Sequence, residues 1–249
     1  MTIKKEEVVS LGIVLKTQAY KESDSLVTVY FKDYGKMTLI ARGVKKLKSK
    51  NASACQSLTL SEFTFIPRVG LSTMIKAHSV DFYRYIKENL ELEAYASYLM
   101  EFVLKNEEDN QPDIEIFEML KKSLDALNQG YPYQLVYLLY NAFILKRCGM
   151  ALQVDGCVRC LRQDRIAGIS LEDGGFVCQD CLSMHDKQLN KETLKAFRHI
   201  NKLSIDDIDQ LKIPEESLEI LIEVMDYYVD EMTGILFKTK KMIQSLAKL

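Results

Sequence analysis

The chain has 249 residues, 47% of them apolar, and a formal net charge of −2, so it can bury one large core or two modest ones. Its charge is uneven: residues 1–80 hold 13 Lys and Arg against 6 Asp and Glu, whereas residues 81–249 hold 20 against 29. A basic N-terminal part on an acidic body is typical of a protein that faces a polyanion, although a solvated basic surface without a ligand gives the same pattern.

No segment is typical of a signal peptide or a transmembrane helix. Residues 1–7 are largely polar, and the most apolar run, residues 135–145, is interrupted by Asn141. That run is also shorter than the roughly 18–20 residues that span a bilayer. We therefore expect a soluble, cytoplasmic protein, in which six cysteines predict metal ligands or free thiols before disulfides.

Residues 8–85 show the alternation of apolar and polar side chains that is typical of β-strands. The alternating positions are Val27, Val29 and Phe31, then Met37, Leu39 and Ala41, then Phe63 and Phe65, followed by a further run over residues 72–83. Turns are predicted at residues 33–36 and 67–70. Four or five short strands predict a small closed barrel over residues 1–82, namely an OB-fold, with an SH3-like barrel as the alternative.

Residues 83–249 have the three-to-four-residue period of helices and predict an all-helical domain, which makes the chain an α+β protein. Pro214 stands where a helix would begin. The apolar stripes, which are typical of core packing, are Phe117, Leu120, Leu124 and Leu127; Leu135, Leu138, Leu139, Ala142 and Leu145; and Leu218, Leu221, Ile222, Met225 and Val229.

Four cysteines interrupt the helical pattern in an inserted module at about residues 154–185. Cys157 and Cys160 form one CxxC pair, and 17 residues later Cys178 and Cys181 form another. This spacing is typical of a four-cysteine zinc site, because each CxxC turn points two thiolates at one ion and a hairpin brings the two turns together. Residues 166–170 and 176–177 predict the strands of that hairpin, and residues 173–175 its turn. A disulfide or redox role is the alternative, and iron is a second possible metal.

The remaining candidates for chemistry are weak. Cys55 and Cys148 have no partner pattern, and His185 is expected to be a surface residue despite its closeness to Cys181. Four thiolates leave no open position for a reactive water, so the metal site is expected to be structural. The chain has no nucleotide-binding P-loop, no zinc-deaminase H-x-E element and no G-x-S-x-G or H-E-x-x-H motif. We expect a protein that is not an enzyme.

A basic segment follows the third predicted strand. Its five cations are Arg42, Lys45, Lys46, Lys48 and Lys50. A cationic loop beside a barrel suits a nucleic-acid backbone, and the nearby Tyr30 and Tyr34 are candidates for stacking on bases. Barrel core is the alternative for these aromatic residues and the favoured reading for Phe31. A nuclear-localisation signal is an alternative reading of the basic run.

These features together resemble the RecO family of bacterial DNA repair and recombination mediators. The matching stretches are residues 12–15, residues 20–30, Gly35-Lys36, Ala41-Arg42-Gly43 with the basic run, residues 98–101, residues 117–120, Gly149-Met150, and the two CxxC pairs with Gly174-Gly175. The resemblance covers essentially the whole chain. It departs at Leu161, where the family often has Gly, and at Leu152 or Gln153, where a Pro is common.

The resemblance implies an N-terminal OB-fold and a helical domain that contains the zinc module. It implies binding of single- and double-stranded DNA, annealing of complementary strands, and loading of recombinase onto DNA coated with single-strand-binding protein, hence association with the nucleoid. The implied partners are RecR, RecF and the acidic C-terminal tail of single-strand-binding protein. The candidate residues for the tail are Phe237, Lys238, Lys240 and Lys241. An RNA-binding module and a protein-interaction adaptor with a structural zinc are the rival interpretations.

Overall fold

The computed structural model describes residues 6–246, and its N-terminal part is a closed five-stranded barrel. The strands are β1 (Val8–Tyr20), β2 (Asp24–Phe31), β3 (Gly35–Ala41), β4 (Leu60–Ile66) and β5 (Leu71–Asp81). Their order around the barrel is β1-β2-β3-β5-β4, and β1 closes it by pairing with both β2 and β4. Every strand pair is antiparallel except β3 with β5. This is the arrangement of an OB-fold, which confirms the predicted fold over the SH3-like alternative.

The barrel is filled by the inward-facing residues of the alternating pattern. The ring of Phe31 stacks on Phe65 at 4.6 Å between centroids and meets the edge of Phe63 at 5.5 Å. Gly12 faces this cluster from β1, where a Cβ atom would collide with Val29 and Phe31. The absence of a side chain at Gly12 therefore lets the large ring of Phe31 lie against the first strand.

Helices follow the barrel in the first of two compact units. This unit runs to Gly130 and also includes the chain from Phe237 onward. Its helices are α1 (Arg84–Lys87), α2 (Leu90–Asn106), α3 (Ile114–Asn128) and, from the far end of the chain, α7 (Thr239–Leu246). The side chains of Asn89 and Asp113 cap α2 and α3 by accepting hydrogen bonds from backbone N–H groups of the first turn.

The second compact unit, Tyr131–Leu236, contains the remaining elements. They are α4 (Tyr133–Arg147), β6 (Ile166–Ser170), β7 (Gly175–Cys178), β8 (Lys187–Gln188), α5 (Lys191–Lys202) and α6 (Glu215–Thr233). The three strands form a sheet in the order β7-β6-β8, inserted between helices as predicted. The hydroxyl of Tyr228 on α6 donates to the carbonyl of Ser170 at 2.6 Å and ties that helix to β6.

The predicted turns and the predicted start of a helix at Pro214 are present in the structure. The turns at residues 33–36 and 67–70 join β2 to β3 and β4 to β5, and α6 begins directly after Pro214. The expected all-helical part also contains the small sheet of the cysteine module. The division of the chain at residues 82 and 83 marks the change from strands to helices and stays a prediction as a domain boundary. None of the helices within residues 6–246 is long and apolar enough to cross a membrane.

Candidate metal centre and basic surface

The four cysteines of the two CxxC pairs come together in the second unit. The Sγ atoms of Cys157, Cys160, Cys178 and Cys181 all lie within 4.8 Å of one another, and those of Cys160 and Cys178 are 3.6 Å apart. Tetrahedral sulphur ligands at about 2.3 Å from a zinc ion would be about 3.8 Å apart. The cluster therefore has the size and the donor set to hold one metal ion.

The local backbone explains why the thiols converge. In the first pair the amide of Leu161 donates to the carbonyl of Cys157 at 2.8 Å, and in the second the amide of Cys181 donates to the carbonyl of Cys178 at 3.0 Å. Each CxxC segment is thus a tight turn with both side chains on one side. The β6–β7 hairpin, with its turn before Gly175, delivers Cys178 to the first turn as predicted.

The surroundings of Cys157 favour its thiolate. Burial opposes ionisation of this side chain, but hydrogen bonds from the backbone N–H groups of Cys178, Cys160 and Arg159 outweigh burial and lower its pKa. Thiolates are the form in which cysteine binds metals, so these backbone donors would assist the binding of a metal ion. With four thiol ligands the site is closed, which fits a structural rather than a catalytic metal.

Arg159, between the two cysteines of the first pair, fastens the module together. Its guanidinium donates to both carboxylate oxygens of Asp186 at 2.7 and 2.9 Å, and to the carbonyl of Cys181 at 2.6 Å. These hydrogen bonds and the positive charge of Arg159 hold the pKa of Asp186 well below its usual range. Nothing local to a CxxC turn shows which distant carboxylate Arg159 meets, so the sequence alone does not indicate its role.

Leu161 occupies a position where the backbone favours glycine. Its φ angle is +62°, in the left-handed region, and its side chain is 71% exposed. A left-handed conformation costs an ordinary residue roughly 1–2 kcal/mol, which glycine does not incur. Leu161, which departs from the family pattern, therefore strains this turn, but the four thiols still converge.

The other candidate ligands lie outside the cluster. Within the described part of the chain, the four cysteines are the whole of this metal-binding group, and His185 is exposed beside it. Cys55 is buried in the barrel core, where burial raises the pKa of its thiol to about 12. Cys55 is therefore a packing residue of the barrel core.

The basic segment after β3 is a surface loop whose first residues are held in place. Arg42, Lys45, Lys46, Lys48 and Lys50 are all exposed. The amide of Gly43 donates to the carboxylate of Asp24 at 2.8 Å, which lowers the pKa of that carboxyl group, and the amide of Lys45 donates to the carbonyl of Ser23 at 2.9 Å. The loop is thus tied to the β1–β2 hairpin, and its cations project into solvent.

The structure does not bring the predicted stacking residues to this loop. Tyr30 is completely buried, and its hydroxyl donates to the carbonyl of Asp113, so the prediction that it stacks on bases is wrong. Tyr34 is half-buried against the edge of Phe65 and lies in the β2–β3 turn. The loop leaves the opposite end of β3, and seven strand residues span roughly 20 Å. Tyr34 and the basic loop are close in sequence but far apart in space, because β3 carries the chain from one end of the barrel to the other. Phe31 is in the core, as favoured.

Tyr20, which was not among the predicted stacking residues, lies at the same end of the barrel as the basic loop. It ends β1 and pairs with Asp24, the residue that binds the amide of Gly43. Its ring is partly exposed, with the Lys21 ammonium 5.3 Å from the ring centroid. The hairpin register between β1 and β2 would have been the signal for placing Tyr20 beside the loop.

The C-terminal candidate segment is packed against its own chain. Phe237 is 7% exposed and its ring lies 4.6 Å from that of Tyr98 on α2. Lys240 is equally buried, with its ammonium 5.7 Å from the Phe237 ring. Lys238 and Lys241 remain exposed. Of the four candidate residues for the partner tail, Phe237 and Lys240 are therefore not open to a partner, because Phe237 packs against Tyr98 of α2 and Lys240 is buried beside it.

The chain combines a five-stranded OB-fold barrel, which has a cationic loop, with a helical part that carries a closed four-cysteine site. It is thus an α+β protein with a candidate structural metal site. Two family models match the chain along almost its whole length. The model described as Recombination protein O N terminal matches residues 5–83, and Recombination protein O C terminal matches residues 87–241. The chain belongs to the RecO family.

Curated relatives agree with this assignment. The chain is 30% identical over 239 residues to a protein of Bacillus pumilus (strain SAFR-032), covering 95% of this chain and 93% of the relative. It is 28% identical over 239 residues to a protein of Listeria monocytogenes serotype 4a (strain HCC23), and 28% over 237 residues to one of Bacillus subtilis (strain 168), with similar coverage. All three are named DNA repair protein RecO.

Proposed function

We propose that the protein is a recombination mediator that binds single- and double-stranded DNA and anneals complementary strands without covalent chemistry. The observation that carries the proposal is the cationic loop of Arg42, Lys45, Lys46, Lys48 and Lys50, exposed and anchored at one end of the OB-fold barrel. The names of the relatives support the assignment to DNA repair.

The proposed mechanism is electrostatic. Two complementary strands repel each other through their phosphates, and binding to Lys and Arg side chains releases condensed counterions and screens that repulsion. Contacts of this kind are made to the backbone and carry no sequence information, so binding and annealing are expected to have little sequence preference. Because Gly43 and Lys45 tie the start of the loop to the β1–β2 hairpin, its charges are presented at a fixed place on the barrel.

Tyr20 adds a surface on which a base can stack. A partly exposed tyrosine beside cationic side chains is the combination that single-strand-binding barrels use, and one stacked base contributes about 1–3 kcal/mol. We place Tyr20 and Lys21 in the DNA surface together with the loop, in the role first expected of Tyr30. Tyr34 stays a candidate for a separate contact at the other end of β3.

The metal proposed for the four-cysteine site is zinc, in a structural role. Zinc prefers four thiolates in a tetrahedron, and Cys157, Cys160, Cys178 and Cys181 supply that set. The protein residues hold the two CxxC turns together, with Arg159 joining the first turn to Cys181 and Asp186. The metal would supply fold stability to the module and no reaction step.

The proposal also includes partner proteins. We place RecR, RecF and the acidic tail of single-strand-binding protein among them, with loading of recombinase onto coated single strands as the outcome. Because the proposed activity acts on chromosomal DNA, we also propose that the protein is cytoplasmic and associated with the nucleoid. The exposed Lys238 and Lys241 remain available to an acidic partner, whereas Phe237 and Lys240 are not open for it.

The test is strand annealing of two labelled complementary oligonucleotides, without ATP, across a salt series. We expect the protein to accelerate annealing on bare and on coated strands, with acceleration lost as salt rises. Replacing Lys45, Lys46 and Lys48 with Ala should weaken single-strand binding and reduce the salt slope by about 2, at roughly 0.7 for each lost phosphate contact.

A charge-matched control removes three exposed lysines elsewhere, Lys32, Lys76 and Lys212, and should leave the slope unchanged. An equal effect of both triple variants would refute the loop as the DNA surface. Tighter binding of RNA than of DNA of the same sequence would favour an RNA-binding module. No binding of either at low salt would leave a protein-interaction adaptor.

A further inference from the structure

The end of β5 and the short helix α1 form a pocket in the first unit. The pocket has a volume of about 670 Å³, which is within the usual range of roughly 300–1,000 Å³ for ligand pockets. Its lining combines two exposed apolar side chains, Val80 and Phe82, with the amine of Lys87 and the carboxylate of Asp81. Neither the proposed annealing mechanism nor the metal site uses these residues.

The pocket adjoins the basic loop of the barrel. Strand β5 runs parallel to β3 and continues past the residue at which β3 ends. The amide of Ala77 on β5 donates at 3.2 Å to the side chain of Asn51, the residue directly after the loop. Val80 follows three residues later on β5, so the pocket begins roughly 10 Å from the end of the loop. A DNA strand bound by the loop can therefore reach this pocket.

Lys87 places a half-buried amine in the pocket. Its Nζ atom donates to the hydroxyl of the fully buried Thr59 at 3.0 Å. Burial disfavours the charged ammonium and lowers the pKa of Lys87, although the carboxylates of Glu93 and Asp81 oppose this shift. Only the neutral amine of a lysine attacks carbon, so partial burial is the usual way in which proteins activate a lysine as a nucleophile.

An amine in this state suits an electrophilic carbon better than a phosphate. A phosphate binds best to a fully charged, solvated cation, and the burial of Lys87 weakens that charge. The electrophile that a damaged DNA strand itself offers is the open-chain aldehyde of a deoxyribose that has lost its base. Phe82 is 40% exposed in the same pocket, and an exposed aromatic ring suits the gap that a missing base leaves in a stacked strand.

We propose that this pocket is an abasic-site lyase centre, in which Phe82 fills the place of the missing base and Lys87 attacks the aldehyde carbon of the deoxyribose. The substrate class is single-stranded DNA that carries an abasic deoxyribose. The inference rests on the proposed function only in that the basic loop delivers the strand to the pocket.

The reaction needs no cofactor, oxidant or reductant. The neutral amine of Lys87 adds to the C1′ aldehyde, and loss of water leaves an imine. The Asp81 carboxylate, which lines the pocket, accepts the proton from C2′. The electrons of the C2′–H bond form a double bond between C2′ and C3′, and the C3′–O bond breaks with the 3′ phosphate as the leaving group. Water then hydrolyses the imine, which returns the free amine and leaves an unsaturated aldehyde on the DNA.

The test is borohydride trapping of the full chain on a labelled single-stranded oligonucleotide with one abasic site. Borohydride reduces the imine to a stable amine, so the covalent product is seen in a denaturing gel, and peptide mass spectrometry locates the linked lysine. We expect the wild-type protein to be linked at Lys87 and, without borohydride, to cleave the strand 3′ to the abasic site. A tetrahydrofuran analogue of the abasic site, which has no aldehyde, should give neither product.

Two variants separate the chemistry from the fold. Lys87→Arg keeps the positive charge but removes the nucleophile, and it should reduce trapping and cleavage at least tenfold while still annealing strands. Lys76→Arg makes the same change at an exposed lysine of β5 and should trap normally. The wild-type protein should bind the tetrahydrofuran oligonucleotide at least threefold more tightly than an intact strand by anisotropy. Phe82→Ala should lose this preference, and Phe82→Tyr should keep it.

Each contrary result has a separate meaning. Equal trapping by the wild-type protein and Lys87→Arg, or linkage at lysines of the basic loop alone, would overturn Lys87 as the nucleophile. Equal binding of the tetrahydrofuran and intact strands by the wild-type protein would overturn the role of Phe82. If the protein anneals DNA but gives no trapped product, the inference fails and the proposed function stands. If it is trapped at Lys87 but anneals no DNA, the proposed function fails and the inference stands.

Discussion

Replacing Glu101 by glutamine tests how α7 is held against α2 within the first unit. The carboxylate of Glu101, on α2, is almost buried and accepts hydrogen bonds from the amides of Lys238 and Thr239 at 2.9 Å each and from the Thr239 hydroxyl at 2.7 Å. It also pairs with Lys105 at 2.7 Å. A side chain from a distant helix thus caps the start of α7.

The magnitude follows from the pKa of this carboxyl group. Burial would raise it, but the hydrogen bonds from Lys105, Lys238 and Thr239 lower it from 4.5 to about 2. Such a shift corresponds to about 3 kcal/mol of stabilisation. Because the pKa is lower in the folded protein, this contribution is fully present above about pH 4.5 and is lost as the pH falls toward 2. Glutamine removes the charge at any pH and places an NH2 group opposite backbone donors.

Hydrogen exchange is the assay, because it measures local opening of one helix separately from unfolding of the barrel. At pH 7 we expect amides in Thr239–Leu246 to exchange about 10–100 times faster in Glu101→Gln, while barrel strands keep their rates. Glu108→Gln, an exposed change just beyond α2, is the control and should alter nothing. Unchanged protection of α7 in Glu101→Gln would refute the view that this carboxylate holds the helix.

Two further predictions concern the cysteine module. Purified protein should contain one zinc per chain by elemental analysis. Cys160→Ser should lose the zinc, while Cys148→Ser, a change outside the cluster, should keep it. A coloured preparation with iron in place of zinc would contradict the metal assignment. Leu161→Gly should stabilise the module by about 1 kcal/mol in chemical denaturation. Glycine adopts φ near +62° without strain, and the leucine side chain that is lost is largely exposed. A loss of stability would show that Leu161 makes contacts that outweigh the strain.

The sequence by itself determined the features that depend on short spacing. Alternation over residues such as Val27 and Val29 predicted the barrel strands, because successive side chains of a strand point to opposite faces. The spacing of the two CxxC pairs predicted their convergence, because a tight turn and a hairpin are local structures. The basic run was visible as composition, and its exposure followed from its charge.

Only the tertiary structure decided which distant residues meet. Tyr30 and Tyr20 are both tyrosines of the barrel strands, yet Tyr30 is buried with its hydroxyl bound to the carbonyl of Asp113 at the start of α3, whereas Tyr20 is partly exposed beside the basic loop. Periodicity assigns a residue to a face of its own strand, but it cannot state what covers that face or which strand end lies next to which loop. The burial of Phe237 by α2 was hidden for the same reason, since its partner Tyr98 is more than a hundred residues away in sequence. Long-range packing brings such residues together, and no local pattern records it.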